Sequence, residues 1–138
     1  MPKASKYLWQ AKHNKELCLF LKTTNKYDDW VITTAFYSSL HFVCYKLFPL
    51  KEKINGEERI FQTFEQYGIF YQRKIGKYFS KHQILSDLVG FYLPKIQPFY
   101  DSLMDFSMKA RYNHYKLTTK QCETAIEHLN KIESCCVT

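Results

Sequence analysis

The sequence predicts an all-α protein, an antiparallel bundle of about five helices that forms a single domain over residues 1–138. The chain has four glycines and four prolines, which is too few for a sheet protein with a turn about every ten residues. The connections between apolar segments are short, and short connections place consecutive helices antiparallel. One long uncharged segment also has the character of a central helix.

That segment is Asp28–Leu47. It has no Asp, Glu, Lys or Arg between Asp29 and Lys46, and apolar residues surround most of its helical wheel, as expected for a helix buried on several sides. One side is aliphatic, and the other has rings and hydrogen-bonding groups at helical spacing. The second stripe consists of Trp30, Thr34, Tyr37, His41 and Tyr45. We interpret this polar stripe as a candidate site.

The first half of the chain contains two further helices in this interpretation. A helix over residues 4–22 has Asn14 in the middle of its buried face, where a buried amide is expected to bond a neighbouring helix. Pro49 ends the central helix. Residues 51–58 are charged, contain Gly56 and are expected to be a connection, and helical spacing returns over 60–79.

The second half is predicted to contain three helices. One covers residues 81–92 and stops before Pro94. The next starts at Pro98, in its first turn, and ends near Tyr112, and the last begins at the capping box of Thr118 and Gln121. The expected core stripe of the middle one is Phe99, Leu103, Phe106 and Ala110. The cysteines at 135 and 136 are expected to lie in a frayed tail.

Charge and cysteine usage restrict the partners and the compartment. The formal charge of +7 and the pI near 9.1 favour a polyanion such as RNA or DNA, although many basic proteins bind none. Five cysteines without a CxxC pair predict neither a disulfide framework nor a zinc site, and reduced thiols indicate a cytoplasmic protein. The start of the chain lacks the apolar region of a signal peptide, and polar residues within 30–50 argue against a membrane span.

The sequence contains none of the common catalytic or nucleotide-binding motifs. The five histidines are spaced so that no two form a metal-binding pair on one helix face. We therefore predict no metal site and no cofactor.

A basic and aromatic segment near a helix end is the first candidate site. A surface of this composition holds phosphates and stacks a base. Its members are Lys109, Arg111, Tyr112, Asn113, His114 and Lys116. The alternative is that these cations only offset the dipole at a helix C-terminus.

His41 is the second candidate, because it lies one helical turn from Tyr37, and an imidazole beside a hydroxyl group is suited to acid or base catalysis near neutral pH. The alternative is a histidine satisfied within the core. A second basic cluster, which includes Arg73, Lys81 and His82, is interpreted as a solubilising face.

Two segments together resemble a family. The pattern DW…FYxxLH over residues 29–41 and the pattern YxxLxxxSxxARY over residues 100–112 resemble a branch of the HEPN superfamily found in small bacterial proteins. The resemblance implies an all-α bundle, usually a homodimer with a cleft at its interface. Many HEPN proteins are metal-independent endoribonucleases of toxin, antiphage or RNA-processing systems.

The catalytic pattern of that family is an Arg followed by a His, spaced Rx4-6H, and this chain departs from it. The positions in question after Arg111 are Lys116, Leu117 and Thr118, and the nearby histidine, His114, is only three residues away. Either Arg111 acts with His114 or His41 in a variant site, or the scaffold binds without cutting.

Two function hypotheses follow. The first is a dimeric HEPN-like module that binds RNA or a nucleotide through Arg111, Tyr112 and the neighbouring residues. His41 and Tyr37 would line the same cleft. The catalytic version of this hypothesis is a metal-independent endoribonuclease. The alternative is a catalytically silent interaction subunit of the toxin–antitoxin type. The resemblance implies a cognate protein partner for such a subunit, for example the minimal nucleotidyltransferase with which some HEPN proteins pair.

Overall fold

A computed structural model describes residues 3–75, 80–112 and 117–137, and this part of the chain forms six helices and one β-hairpin. In chain order they are α1 (Lys3–Thr24), α2 (Asp28–Leu47), β1 (Leu50–Ile54), β2 (Glu57–Phe61), α3 (Phe64–Ile75), α4 (Lys81–Tyr92), α5 (Gln97–Tyr112) and α6 (Thr119–Cys136). The expectation of a mainly helical protein is confirmed. The helix count is six rather than about five, and the hairpin was not predicted.

Helix α2 is the centre of the bundle, as its uncharged sequence predicts. It packs against α1, α5 and α6, and Ile32, Phe36 and Val43 are fully buried. Its buried hydroxyls are satisfied by backbone carbonyls, as burial of polar groups requires. Ser38 donates a hydrogen bond to the carbonyl of Ala11 in α1 at 2.7 Å.

The hydrogen bond from Ser38 connects α1 to α2, whereas Asn14 was expected to do so. The amide oxygen of Asn14 accepts from Gln10 at 2.9 Å within α1 itself. The prediction of an interhelical bond by Asn14 is therefore wrong, because Asn14 is only half-buried and is satisfied by its own helix.

The hairpin occupies the segment that was expected to be a connection followed by helix. Its two-residue loop is Asn55 and Gly56, with φ of 53° and 82°, and positive φ at both positions is the requirement of a type I′ turn. The register pairs Leu50 with Phe61, and both side chains are buried. The expectation of a simple connection over residues 51–58 is therefore wrong, because these residues form most of two paired strands, and the helix begins only at Phe64.

Helix α5 is rotated relative to the predicted core stripe. Its buried residues are Tyr100, Leu103 and Ser107, while Phe99 and Phe106 are half-buried. The ring of Tyr100 packs at 5.7 Å from that of Phe36 in α2. Packing against α2 thus buries the face of α5 that contains Tyr100 and Ser107, and Arg111 follows on the same face one turn later.

The capping box at the start of α6 is confirmed, with Thr118 accepting from the backbone of Gln121 and the Gln121 side chain accepting from the backbone of Thr118. Helix α6 continues through Cys136, which is 3% exposed, so the expected frayed tail is wrong. Of the helices that the structure describes, none combines the length and apolar character needed to cross a membrane.

Candidate phosphate-binding site

The guanidinium of Arg111 joins the end of α5 to the middle of α2. Its Nη1 donates a hydrogen bond to the hydroxyl of Tyr37 at 2.8 Å, and its Nε donates to the carbonyl of Ser107 at 3.3 Å. It also lies over two rings, 5.4 Å from the centroid of Tyr37 and 5.1 Å from that of Tyr112. These contacts hold a cation in a defined orientation.

Arg111 forms no ion pair in the part of the chain that the structure describes. The two ion pairs found there are Lys15 with Glu133 and Lys109 with Asp105, and Arg111 belongs to neither. A half-buried guanidinium that lacks a counter-ion favours an anionic ligand, and its fork of donors matches a phosphate.

Two exposed aromatic side chains flank the guanidinium. Trp30 is 55% exposed and Tyr112 is 63% exposed. Trp30 and Arg111 line a shallow cavity of about 190 Å³ together with Asp29, Thr33 and Ala110. The cavity is too small for a nucleotide, but open rings next to a cation are able to stack a base while the phosphate is bound beside it.

The structure adds His82 to this site, a residue that the sequence had placed in a solubilising basic face. Its ring lies 5.4 Å from that of Phe36 and 6.3 Å from that of Tyr37, and its Nδ1 is buried with no hydrogen-bond partner among the described residues. Burial lowers the pKa of His82, and the charge of Arg111 lowers it further. His82 is thus favoured as a neutral imidazole.

His41 lies one helical turn after Tyr37 in α2, and it interacts with Tyr7 of α1 and Glu65 of α3. Its ring is stacked at 6.3 Å from that of Tyr7, and its Nδ1 is buried without a partner in the described chain. Burial lowers the pKa of His41, and the Glu65 carboxylate partly opposes that effect. The interactions of Arg111, in contrast, lead to Tyr37 and His82.

The remaining predicted residues divide into two groups. Lys109 is exposed and forms its ion pair with Asp105 at 3.0 Å, one helical turn away. Asn113, His114 and Lys116 lie outside the described residues, so their roles stay predictions. Among the residues that are described, no group of three His, Cys, Asp or Glu side chains is placed to hold a metal ion.

Sequence reasoning missed His82 because nothing in the spacing along the chain connects it with α2. Its neighbour Lys81 is exposed, and a charged neighbour suggests a solvated face. The proximity of His82 to Tyr37 arises from the tertiary packing of α4 and not from a local pattern.

We compared the chain with family models, with curated proteins and with solved structures, and none of the three comparisons finds a match.

Proposed function

We propose that this protein is a HEPN-like dimeric helical module that binds RNA or a nucleotide at the surface around Arg111. The observation that carries the proposal is the guanidinium of Arg111, which is anchored by the Tyr37 hydroxyl at 2.8 Å and has no acidic partner in the described chain.

The contacts of Arg111 suit phosphate recognition for a physical reason. A guanidinium held by a hydroxyl, a carbonyl and two rings loses little side-chain entropy when a ligand binds, so more of the interaction energy appears as affinity. The Tyr37 hydroxyl accepts from Arg111 and keeps its own proton free to donate to a phosphate oxygen. The net charge of +7 attracts the polyanion to the surface.

A metal-independent endoribonuclease is the catalytic form of this proposal. In such a reaction a neutral imidazole removes the proton of a ribose 2′-hydroxyl, and the 2′-oxygen attacks phosphorus to form a 2′,3′-cyclic phosphate. The bond to the 5′-oxygen breaks, and that oxygen takes a proton from the imidazolium or from water. Arg111 would stabilise the charge of the phosphorane. The predicted bases are His41 and His114, and the proximity of His82 to Tyr37 makes it a third candidate.

Fluorescence anisotropy with labelled single-stranded and hairpin RNA tests binding. We expect saturable binding whose affinity falls steeply with salt and about tenfold in Arg111→Ala. The matched control is Arg59→Ala, which removes the same charge elsewhere in the chain. Arg59 lies in β2, and its guanidinium stacks on the ring of Phe70 in α3. If both variants lose RNA affinity equally, then the loss comes from the lower net charge, and the proposed site is contradicted.

A cleavage assay on the same RNAs, with and without a chelator, tests the enzyme form. Cleavage should persist with the chelator and disappear in Arg111→Ala. Among His41→Ala, His82→Ala and His114→Ala, the variant that removes the catalytic base should cleave more slowly than the other two. If no RNA is cut, or if all four variants cut like the wild type, the nuclease proposal is refuted and binding alone remains.

One observation favours the alternative of a silent interaction subunit in a toxin–antitoxin or antiphage system. Helix α1 has an exposed apolar stripe at helical spacing that includes Trp9, Leu17 and Phe20, with exposed fractions of 56%, 43% and 64%. A stripe of this kind suits a protein partner, for which the resemblance suggests a minimal nucleotidyltransferase, or the second protomer of a homodimer.

Light scattering of the purified chain, alone and after co-expression with a genomic neighbour, separates these possibilities. A homodimer that binds RNA supports the first proposal. A salt-insensitive complex with another protein, combined with no RNA affinity, supports the alternative.

A further inference from the structure

A second cavity lies away from Arg111, between the hairpin and helices α3 and α4. Its volume is about 500 Å³, which is within the size range of small-molecule sites in proteins. Strand β1 supplies Glu52, α3 supplies Tyr67 and Tyr71, and α4 supplies Asp87. The proposed RNA surface uses none of these residues.

Aromatic rings form much of the wall. Tyr67 and Tyr71 lie with their ring centroids 6.0 Å apart, and Phe91 meets Tyr92 edge to face at 4.8 Å. Phe91 is 78% exposed at the mouth of the cavity. The faces of such rings attract cations, because the ring quadrupole is negative above the plane.

Two carboxylates accompany these rings, and each is oriented by a neutral donor. The hydroxyl of Tyr92 donates to Glu52 at 2.9 Å, and the side-chain amide of Gln83 donates to Asp87 at 3.0 Å. Neither carboxylate is in an ion pair among the described residues. Both therefore remain able to accept from a ligand cation.

The tyrosines of the cavity are kept neutral by burial and by the two carboxylates. Burial raises the pKa of Tyr67, and the charges of Glu52 and Asp87 add to the rise. Burial and the bond to Glu52 raise the pKa of Tyr92 to about 12. The Glu52 carboxylate thus acts on both tyrosines, and the Asp87 carboxylate acts on Tyr67.

Lys51 and Lys53 also border the cavity, but they alternate with Glu52 along β1. Successive side chains of a strand point to opposite faces, and both lysines are exposed while Glu52 is half-buried. The side chain that β1 turns toward α4 is consequently the acidic one.

We propose that this cavity binds a small aliphatic diamine or polyamine in its ammonium form. Two carboxylates from separate elements, Glu52 and Asp87, match two ammonium groups, and each ammonium has three donors for carboxylate and hydroxyl oxygens. The methylene chain between the charges packs against the rings of Tyr67, Tyr71 and Tyr92.

Isothermal titration of the full chain with putrescine and spermidine tests this inference. We expect saturable binding with a Kd on the order of 0.1–1 mM. The neutral analogue 1,4-butanediol should not bind, and choline, which has one charge and no N–H donor, should bind more weakly than putrescine.

Glu52→Gln and Asp87→Asn keep the size of each side chain and its ability to accept from Tyr92 or Gln83, and each should weaken putrescine binding at least about fivefold. Glu58→Gln is the matched control, because Glu58 is exposed in the same hairpin and outside the cavity. Circular dichroism confirms that the variants fold.

An absence of saturable binding, an equal loss in Glu58→Gln, or choline binding as tightly as putrescine would each overturn the assignment. None of these outcomes depends on whether the protein binds RNA.

Discussion

Arg111 and Tyr37 are 74 residues apart in the chain and are joined by a hydrogen bond of 2.8 Å from the guanidinium to the hydroxyl. Tyr37 belongs to the uncharged central helix and Arg111 to the last turn of α5. The bond therefore links the two segments on which the resemblance was based.

The first prediction concerns the hydroxyl of Tyr37. Tyr37→Phe keeps the ring under the guanidinium but removes the acceptor, so we expect RNA affinity to fall about threefold to tenfold and the free energy of unfolding to fall by about 1 kcal/mol. Anisotropy and urea denaturation measure the two effects.

Tyr112→Phe is the control for Tyr37→Phe, because Tyr112 is exposed and its ring remains available for stacking. It should match the wild type in both measurements. If Tyr37→Phe also matches the wild type, then the anchor of Arg111 contributes nothing to binding.

The second prediction uses two glycines with opposite roles. A Cβ added at either Gly56 or Gly68 meets no atom within 4 Å, so any effect is conformational. Gly56 has φ of 82°, and alanine there should reduce the free energy of unfolding by about 1 kcal/mol. Gly68 lies within α3, and alanine there should increase it by about 0.5–1 kcal/mol.

Urea denaturation of Gly56→Ala and Gly68→Ala measures both shifts under the same conditions. Effects of the same sign would contradict the hairpin turn at residues 55 and 56 or the helical state of residue 68.

The central helix was predictable because its signal is local. Uncharged sequence from Trp30 to Tyr45, with Asp28 before it and Pro49 after it, defines a buried helix without knowledge of the neighbours. The starts of α4 and α6 are also marked by local sequence. The side-chain hydroxyls of Ser80 and Thr118 each accept a hydrogen bond from the backbone N–H three residues later in the chain.

The errors arose where tertiary packing decides between similar local choices. Ranking Phe99 and Phe106 above Tyr100 and Ser107 follows hydrophobicity, but α2 packs against the face that includes Tyr100. The approach of His82 to Tyr37 likewise depends on the placement of α4, which no spacing in the sequence reports.

The third prediction is a loss of stability in mild acid. Burial lowers the pKa values of His41, His82 and His128 below their ordinary value of 6.5, so the unfolded chain takes up these protons first. The stabilising contribution of each neutral imidazole is present above pH 6.5 and is lost as the pH falls from there through the folded pKa, by at most about 1.4 kcal/mol per pH unit for each histidine.

Guanidinium denaturation between pH 5 and 7.5 measures this slope, and His41→Gln should make it shallower by removing one titrating group. A wild-type stability that does not change over this interval would show that the three imidazoles are freely protonated in the folded protein.

The fourth prediction concerns the reactivity of the five free thiols. Cys18, Cys44 and Cys136 are buried, whereas Cys135 is half-buried. Because the thiolate is the nucleophile, burial that raises the pKa of Cys136 to about 12 leaves only about one thiol in 10⁴ ionised at pH 8. Burial also raises the pKa of Cys122 to about 12.

Iodoacetamide at pH 8 should therefore modify Cys135 first in the native protein, as peptide mapping by mass spectrometry would show, and all five cysteines should react in urea. Cys135→Ser should leave the native protein almost unmodified on the same timescale. If Cys136 reacts as quickly as Cys135, then the last turn of α6 does not remain packed in solution. The burial of Cys136 in the core would then be contradicted.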